Sequence, residues 1–429
     1  MPSLHWPSKS KPESQPSHLH TEAVFSPFAA DIQPEKTGFQ NRLILGDNLR
    51  VMGALLETWE GQLDLIYADP PFYTNKGYPA RIGRGEDSRQ PEEWEMAEGY
   101  QDNWEDLDHY LDMLYPRLQL MHRLLAPSGS LFLHLDWHAN SYARILLDEI
   151  FGYDRLNNEI IWTYHGPSPI RSAFNRKHDT ILWYTKSDDY KFDVDRVRVP
   201  YSSSTVDTFN SSQKAGFGKT PNLKRGKVPE DWWYFPVVAR LHSERTGYPT
   251  QKPESLLERI ILGCSDPGDV VADFFAGSGT TIQVAARLGR RFLGVDAQRR
   301  AIRTARSRLA LSAQEWEELP EEEAPLPFSV LIQRGGKVQP ARYRELSQDY
   351  QPPFEMDGKR LILNPDLLPE LDYWEVDPDW DGELFHSRYQ GARPWRKGEI
   401  KGVCQLAEKG NHLCLRLVLI NGDQYQFVA

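Results

Sequence analysis

Three features of the 429-residue chain predict an α/β fold with an appended β-rich segment. From Arg42 to about residue 312, short apolar runs alternate with helix-period segments, the pattern of strands and helices packed in layers. A glycine turn, Gly277-Ser-Gly279, joins a strand-like run to a helix-like run and so closes a βαβ unit. Beyond residue 328 short β-like runs take over, as in Leu413-Cys-Leu-Arg-Leu-Val-Leu-Ile420.

The elements follow in order. Residues 1–38 are rich in Pro, Ser and His with few aliphatics, and are expected to form a disordered tail before a domain spanning 39–312. Residues 42–45 and 63–68 read as buried strands. Leu107, Leu111, Leu114, Leu118, Met121 and Leu125 recur at alternating spacings of four and three, one apolar helical face expected to bend at Pro116. Pro127-Ser-Gly129 is expected to turn into a strand over 131–135, followed by a helix from about Ala139 to Phe151 and β-like runs at 160–164 and 180–185. Residues 187–247 lose this regularity and read as an insertion carrying Ser, Gly, Lys and aromatics. A helix through Leu256, Leu257, Ile260 and Ile261 ends at Gly263. Strand 270–273, the glycine turn, helix 281–288 and strand 291–295 complete the unit. The acidic, proline-punctuated stretch 313–327 is expected to be a linker to a separate β-rich module at 328–429, for which no role is assigned. The chain has no internal repeats.

Composition narrows the function classes. Hydrophobic residues make up 40% and charged residues 26%, ordinary for a globular protein. No apolar run approaches the roughly 20 residues of a membrane span, and the first twenty residues have no apolar core of a signal peptide. Three dispersed cysteines (Cys264, Cys404, Cys414) exclude a CxxC zinc site or a dense disulfide framework, so a cytoplasmic protein is expected. The net charge of −11 argues mildly against a polyanionic partner, but charge is segregated. Residues 315–323 hold six acids and no base, whereas 211–229 hold Lys214, Lys219, Lys224, Arg225 and Lys227 and no acid. Local charge decides where a phosphate backbone can lie.

Two motifs carry the chemistry. Asp273-Phe-Phe-Ala-Gly277-Ser-Gly279-Thr-Thr281 follows a strand and opens a helix, so its glycines let backbone approach a ligand at the helix N-terminus. Asp296 closes the next strand, where a carboxylate can accept hydrogen bonds from both hydroxyls of a ribose. The pattern points to a nucleotide-like cofactor, and with no third glycine at dinucleotide spacing and no Gly-Lys-Ser/Thr the NAD and P-loop readings weaken. The bland alternative is a tight strand–helix turn with a surface acid.

The second motif, Asp69-Pro-Pro-Phe72, directly follows the strand at 63–68. Two prolines hold the backbone extended, so a carboxylate and a neighbouring carbonyl can converge on the two hydrogens of one amino group. Phe72 offers a stacking face to a base swung out of a duplex. Taken alone, the tetrapeptide is equally readable as a proline turn beside a core phenylalanine.

Together the motifs resemble the beta-class, permuted, amino-methylating DNA methyltransferases, in which a DPPY-type motif precedes the FxGxGT cofactor motif with target recognition between them. The likeness covers roughly residues 40–312 and includes Gly46-Asp47-Asn48, the helix and strand at 107–135, His178-Asp-Thr-Ile-Leu-Trp-Tyr-Thr-Lys186 and Thr250-Gln-Lys-Pro253. It implies a Rossmann-like sheet of seven strands, mixed and mostly parallel, and S-adenosyl-L-methionine as cofactor. By that likeness Asp47, Asp273, Phe275, Ala276, Gly277, Gly279, Thr280 and Asp296 line the cofactor, with Thr250 and Lys252 near its methionine end. Asp69 and Pro70, with Pro71 and Phe72, form the catalytic motif that grips and stacks the target base. Phe stands where the family more often has Tyr; the stacking face is the same and only a hydroxyl is lost.

The resemblance implies direct methyl transfer to an exocyclic amino group, adenine N6 by the first-position Asp, with cytosine N4 as the nearest alternative. A methyl transfer to carbon 5 needs a thiolate, and no cysteine follows a proline in a catalytic-type loop. Glutamine methylation, which pairs a similar site with Asn at this position, and a silent DNA-binding relative are the other readings. Double-stranded DNA is the implied partner, with 187–247 as target recognition insertion and the basic run 211–229 on phosphates; a cognate restriction endonuclease and a monomer or homodimer complete the expectation. The arginines at 299, 300, 303, 306 and 308 read as a solvated helix face, Trp232 and Trp233 as wedge or local core, and His134, Asp136 and His138 as no metal site.

Overall fold

The computed structural model describes residues 3–9, 17–25, 41–82, 95–166, 170–211, 222–239, 242–315, 327–334, 343–345, 352–394, 399–407, 410 and 412–429. Its main sheet has eleven strands: β1 (His18–Phe25), β2 (Asn41–Leu45), β3 (Leu63–Ala68), β4 (Leu125–Leu135), β5 (Leu156–Thr163), β6 (His178–Thr185), β7 (Trp232–Tyr234), β8 (Val270–Asp273), β9 (Arg291–Asp296), β10 (Phe328–Arg334) and β11 (Phe385–Ser387). They run in the order β11-β1-β10-β2-β9-β8-β3-β4-β6-β5-β7. The seven strands expected from the sequence lie side by side from β2 to β5. They are parallel from β2 through β4, and β6 is antiparallel to both its neighbours. This is the mixed, mostly parallel sheet that the resemblance implies.

Pleat alternation places the core on both faces. Leu65 and Tyr67 of β3 join one apolar cluster, Ile66 and Ala68 the other, because successive side chains point to opposite sides; Leu63 departs from the alternation at the irregularity between Leu63 and Leu65. Helices α1 (Asn48–Trp59), α2 (Leu107–Leu124) and α3 (Asn140–Phe151) cover the second face. Helix α4 (Ser203–Ser211) lies in the insertion and buries no residue. Helices α5 (Glu254–Cys264), α6 (Thr280–Arg287) and α7 (Arg299–Glu315) cover the first face. Helix α2 carries Pro116 inside it, and β4 begins at Leu125, so the expected turn at 127–129 lies within a strand.

Three expectations are corrected. The N-terminal tail is not disordered throughout: β1 pairs antiparallel with β10, and Trp6 is buried with its indole N–H on Asp112 at 2.7 Å. Residues 26–38 lie outside the described residues. The segment from 328 is not a separate module, because β10 pairs with β2 and β11 with β1. Gln333 of β10 is fully buried and its side-chain Oε1 accepts the Asp47 N–H at 2.9 Å, so the segment supports Asp47, which lines the cavity described below. Only the five- and three-stranded sheets that follow have a core of their own, around Trp374, Leu361 and Leu415. Most of the acidic linker, from 316, lies outside the described residues.

The third correction concerns the arginines of α7. Arg306 and Arg308 are buried rather than solvated. Arg306 pairs with Glu375 at 2.8 Å and lies 4.7 Å over the Tyr373 ring, and Arg303 pairs with Asp372 at 3.5 Å. Arg308 reaches Glu254, Gln283 and Thr280. The helix is fastened to the C-terminal sheet by charge, since a buried guanidinium is tolerated only when paired.

Candidate active site

A cavity of about 810 Å³ opens at the carboxyl ends of the strands. It lies where β8 and β3 run parallel with Asp273 opposite Tyr67, and where the chain leaves β3 toward β4 and β8 toward β9 in opposite directions. Such a divergence leaves a crevice at the sheet's edge, the usual ligand site of open α/β sheets. It brings together residues at 47–48, 67–74, 245–252, 273–281 and 296–298.

On the β8 side the surface is a backbone turn. Gly277 (φ +49) and Gly279 (φ +76) take left-handed conformations, and a Cβ on Gly279 would stand 2.5 Å from the Ala305 Cβ on α7. Glycine is required there both by dihedral and by space. The carboxylate of Asp273 is turned inward, accepting from the Phe275 N–H (2.9 Å) and the Thr281 hydroxyl (2.6 Å). Asp296 accepts from the N–H groups of Gly277 (2.9 Å) and Gln298 (2.8 Å). Burial pushes Asp273 up to about 7 and Asp296 up to about 6, only partly offset by these bonds. Both carboxyls are therefore held toward the neutral form. Phe275, Ala276, Gly277 and Thr280 line the same wall, the Thr280 hydroxyl donating to the Lys252 carbonyl at 3.2 Å. Asp47 caps α1, accepting from Leu49 and Arg50 N–H, and faces Arg117 at 3.4 Å. Asn48 ties this corner to the turn by donating to the Phe274 carbonyl at 2.7 Å.

On the β3 side the surface is built of side chains. Asp69 Oδ2 accepts from the Lys252 ammonium at 2.5 Å, while Asp69 Oδ1 is buried without a partner. An unsatisfied buried acceptor costs about 1–3 kcal/mol and marks a place for a donor. Lys252 also lies 5.2 Å over the Phe72 ring, and Thr250 before it is held at φ 56 near the Tyr100 hydroxyl. Lys252 is thus a partner of the Asp69 carboxylate, a contact that the expected position near a methionine end does not describe. Pro70, Pro71 and Phe72 line the cavity, and the Pro71 carbonyl accepts from the Tyr110 hydroxyl at 2.9 Å.

Several residues here escape sequence reasoning. Asp102, buried at the end of the strand Glu95–Asp102, accepts from the backbone N–H groups of Phe72, Tyr73 and Thr74, and so pins a loop in which Tyr73 and Asn75 have positive φ. Behind Phe72, Tyr67 and His134 Nδ1 lie 2.6 Å apart, His134 Nε2 is 3.3 Å from Asp179, and Tyr164 donates to Asp179 at 3.1 Å. Burial raises Asp179, yet the contacts with His134, Lys252 and Tyr164 hold it below the ordinary carboxylate range. The Phe72 and His134 rings are 5.7 Å apart, so this network backs the Phe72 ring. The only local signal for it was the polar pairing in His178-Asp179 and Leu133-His134 within apolar strands.

The basic run behaves differently from its expectation. Arg225 makes a two-oxygen contact with Asp195 and Lys227 pairs with Glu230, acids that lie outside the counted segment. Lys224 is exposed, and Lys214 and Lys219 lie outside the described residues. Trp233 is buried, whereas Trp232 and Tyr234 on the opposite face of β7 are exposed. The three thiols offer no nucleophile: Cys264 and Cys414 are buried and Cys404 is partly so, and burial pushes Cys404 and Cys414 up to about 12. No group of three metal-ligating side chains occurs among the described residues, and no described helix is long and apolar enough to cross a membrane.

A parallel-sheet cofactor crevice that shares one cavity with a proline-fixed carboxylate is the architecture of a group-transfer enzyme. The comparison with known proteins sets its kind: a family model for N6/N4 methyltransferases, described as DNA methylase, matches residues 63–307, and the chain belongs to that family. It is 30% identical to the type II methyltransferase M.BglII of Bacillus subtilis, over 71% of this chain and 77% of the relative. It is 31% identical to the DNA adenine methyltransferase YhdJ of Escherichia coli (strain K12), over 58% of this chain and 77% of the relative. The solved complex of M1.HpyAVI with SAM aligns at 20% identity and a TM-score of 0.42, over 62% of this chain and 98% of its own.

Proposed function

We propose that the protein transfers a methyl group from S-adenosyl-L-methionine to the exocyclic amino group of a base flipped out of double-stranded DNA, with adenine N6 as the target. One observation carries the reading: Asp69 presents a buried, unpartnered Oδ1 to the cavity while Lys252 holds its other oxygen. Lys252 orients the carboxylate, so Oδ1 accepts an amino hydrogen and frees the nitrogen lone pair that ring delocalisation otherwise withholds. Phe72, backed by His134, stacks on the base. Positioning and electrostatics supply the rate, and no covalent enzyme intermediate is required.

The β8 wall fits the proposed cofactor. Asp296, a desolvated carboxylate with free lone pairs, takes the ribose hydroxyls; Gly277 and Gly279 let backbone close on the ligand; Asp47, Asp273, Phe275, Ala276, Thr280 and Thr250 complete the wall. When bound, S-adenosyl-L-methionine supplies an electrophilic sulfonium methyl. Adenine rather than cytosine is supported by the first-position Asp and by the likeness to YhdJ, a DNA adenine methyltransferase. The reading extends to 187–247 as target recognition region, with Lys214, Lys219 and Lys224 on phosphates. It also extends to a cytoplasmic protein, monomer or homodimer, serving beside a cognate restriction endonuclease as the type II naming of its relatives suggests.

Single-molecule sequencing of DNA from a host expressing the protein is the test. N6-methyladenine at one recurrent motif is the expected result. N4-methylcytosine at such a motif moves the assignment to cytosine, and unmodified DNA from cells containing folded protein overturns it.

A further inference from the structure

Between Tyr164 and His178 the chain carries Arg171, Arg176 and Lys177 and no acid. This loop joins β5 to β6, and both of its stems stand in the target side of the cavity: Tyr164 and Asp179 line it, and the Tyr164 N–H donates to the Lys177 carbonyl at 3.1 Å. Its described part, 170–178, is folded onto the turn after β4. There the Arg176 guanidinium lies 4.2 Å over the ring of Trp137, which follows the cavity-lining Asp136 and is itself 47% exposed. At the crest Phe174 is 97% exposed, more than any other large hydrophobic residue described. A phenylalanine so placed has no folding role.

The charges contrast with those of the other basic segment. Arg225 and Lys227 are already bound to Asp195 and Glu230, whereas among the described residues Arg171 and Arg176 have no carboxylate partner. A guanidinium stacked on an aromatic ring keeps its N–H fork for another acceptor. The substrate fixes what that acceptor is. A base that reaches Asp69 stays attached to its strand, so the phosphates on either side lie outside the cavity, whose lining includes Tyr164 and Asp136 next to this loop. Phe174 is three residues from Lys177, a reach of at most about 10 Å, so the crest stands near the cavity-lining Tyr164 that Lys177 bonds.

We infer that the loop 170–178 is the element that holds the substrate strand at the flipped nucleotide, with Arg171 and Arg176 on its phosphates and Phe174 inserted into the base stack that the target leaves. Apolar wedges of this kind hold unstacked steps open, and arginines on phosphate position without reading sequence. The inference rests on the DNA reading of the site.

Fluorescence titration of the full chain with a mixed-sequence duplex across a salt series tests it. In the Arg171→Gln/Arg176→Gln variant the slope of log affinity against log salt falls by about two units, at about 0.9 per lost phosphate contact. Lys224→Gln, with one exposed lysine removed, changes it by no more than about one unit. S-adenosyl-L-methionine affinity stays at the wild-type value in both. Phe174→Ala keeps the wild-type slope, because it removes no charge, but lowers methyl incorporation into native genomic DNA about tenfold or more. A wild-type slope in the double variant removes the arginines from the interface, and wild-type turnover in Phe174→Ala removes the wedge; either overturns the inference while leaving the methyl-transfer reading intact. A wild-type protein with no affinity for duplex overturns both.

Discussion

On the β8 side of the cavity the ligand wall is mostly main chain, contributed by one contiguous stretch, Asp273–Thr281, and one residue on the next strand, Asp296. On the β3 side it is mostly side chain, drawn from four places far apart in sequence (Asp69 with Phe72, Asp102, Asp179 and Lys252), with His134 behind Phe72. The carboxylates differ accordingly. Asp273 and Asp296 bond to neighbouring backbone N–H groups and are raised by burial, whereas Asp69 has a lysine on one oxygen and nothing on the other. A wall made by local backbone can bind a ligand whenever the turn forms. A wall made by assembled side chains can act only after the whole sheet has closed, which suits the step where positioning matters most.

The difference predicts which parameter each lobe controls. The largest effect belongs to Asp69→Ala, which should lower the methyl-transfer rate by about 10²–10³ while leaving cofactor affinity nearly unchanged. Single-turnover kinetics with calorimetry checks both halves, and a loss of affinity equal to the loss of rate would erase the division between the lobes.

Asp102→Ala comes next. It removes the acceptor of three N–H groups that hold Phe72 to Thr74, so turnover should fall about ten- to a hundredfold through misplacement of Phe72, again without loss of cofactor binding. Restored activity in Asp102→Asn, which keeps one acceptor oxygen, would confirm that the residue positions the loop and does no chemistry.

Asp296→Ala should show the opposite split. Loss of the charge-assisted bonds to the ribose hydroxyls, together worth about 1.5–3 kcal/mol, weakens S-adenosyl-L-methionine binding by roughly ten- to a hundredfold. Turnover at saturating cofactor should move much less, which steady-state kinetics over a cofactor series will reveal.

The smallest effect is on pH. The native Asp296 carboxyl, raised to about 6 from an ordinary 3.8, binds more protons than the unfolded one between those values. Its contribution to the ligand-free fold is therefore full below about 4 and is lost as pH rises through about 6. Ligand binding runs the other way, since the ionised form is the better acceptor: cofactor affinity should fall as pH drops through about 6, with Asp273 adding a similar loss near 7. Calorimetry from pH 8 to 5 measures this, and a slope unaltered in Asp296→Asn would assign the dependence to Asp273 alone.

The sequence by itself determined the seven central strands, the glycine turn, the proline-fixed carboxylate and the pairing of the two motifs, because each is a local matter. Alternation, helical period and the demands of a positive φ act over a few residues and leave their mark there. It also carried the chemical class, through Asp69 and Asp296. Only the tertiary structure decided that Lys252 belongs to Asp69, that Asp102 holds Phe72, and that Tyr67, His134 and Asp179 form one network, since these contacts join strands whose neighbours in space are not neighbours in the chain. It likewise decided that β1 and β10 extend the sheet: edge strands need unpaired N–H and C=O groups from β2, and no composition records that a partner edge is waiting. Charge was the least legible of all. The arginines of α7 and the basic run at 224–227 looked solvated or free in sequence because their acids, Glu375, Glu254, Asp195 and Glu230, lie outside the segments being counted. An ion pair is set by distance in space, and that is fixed only when the sheet, the helix and the C-terminal strands have packed.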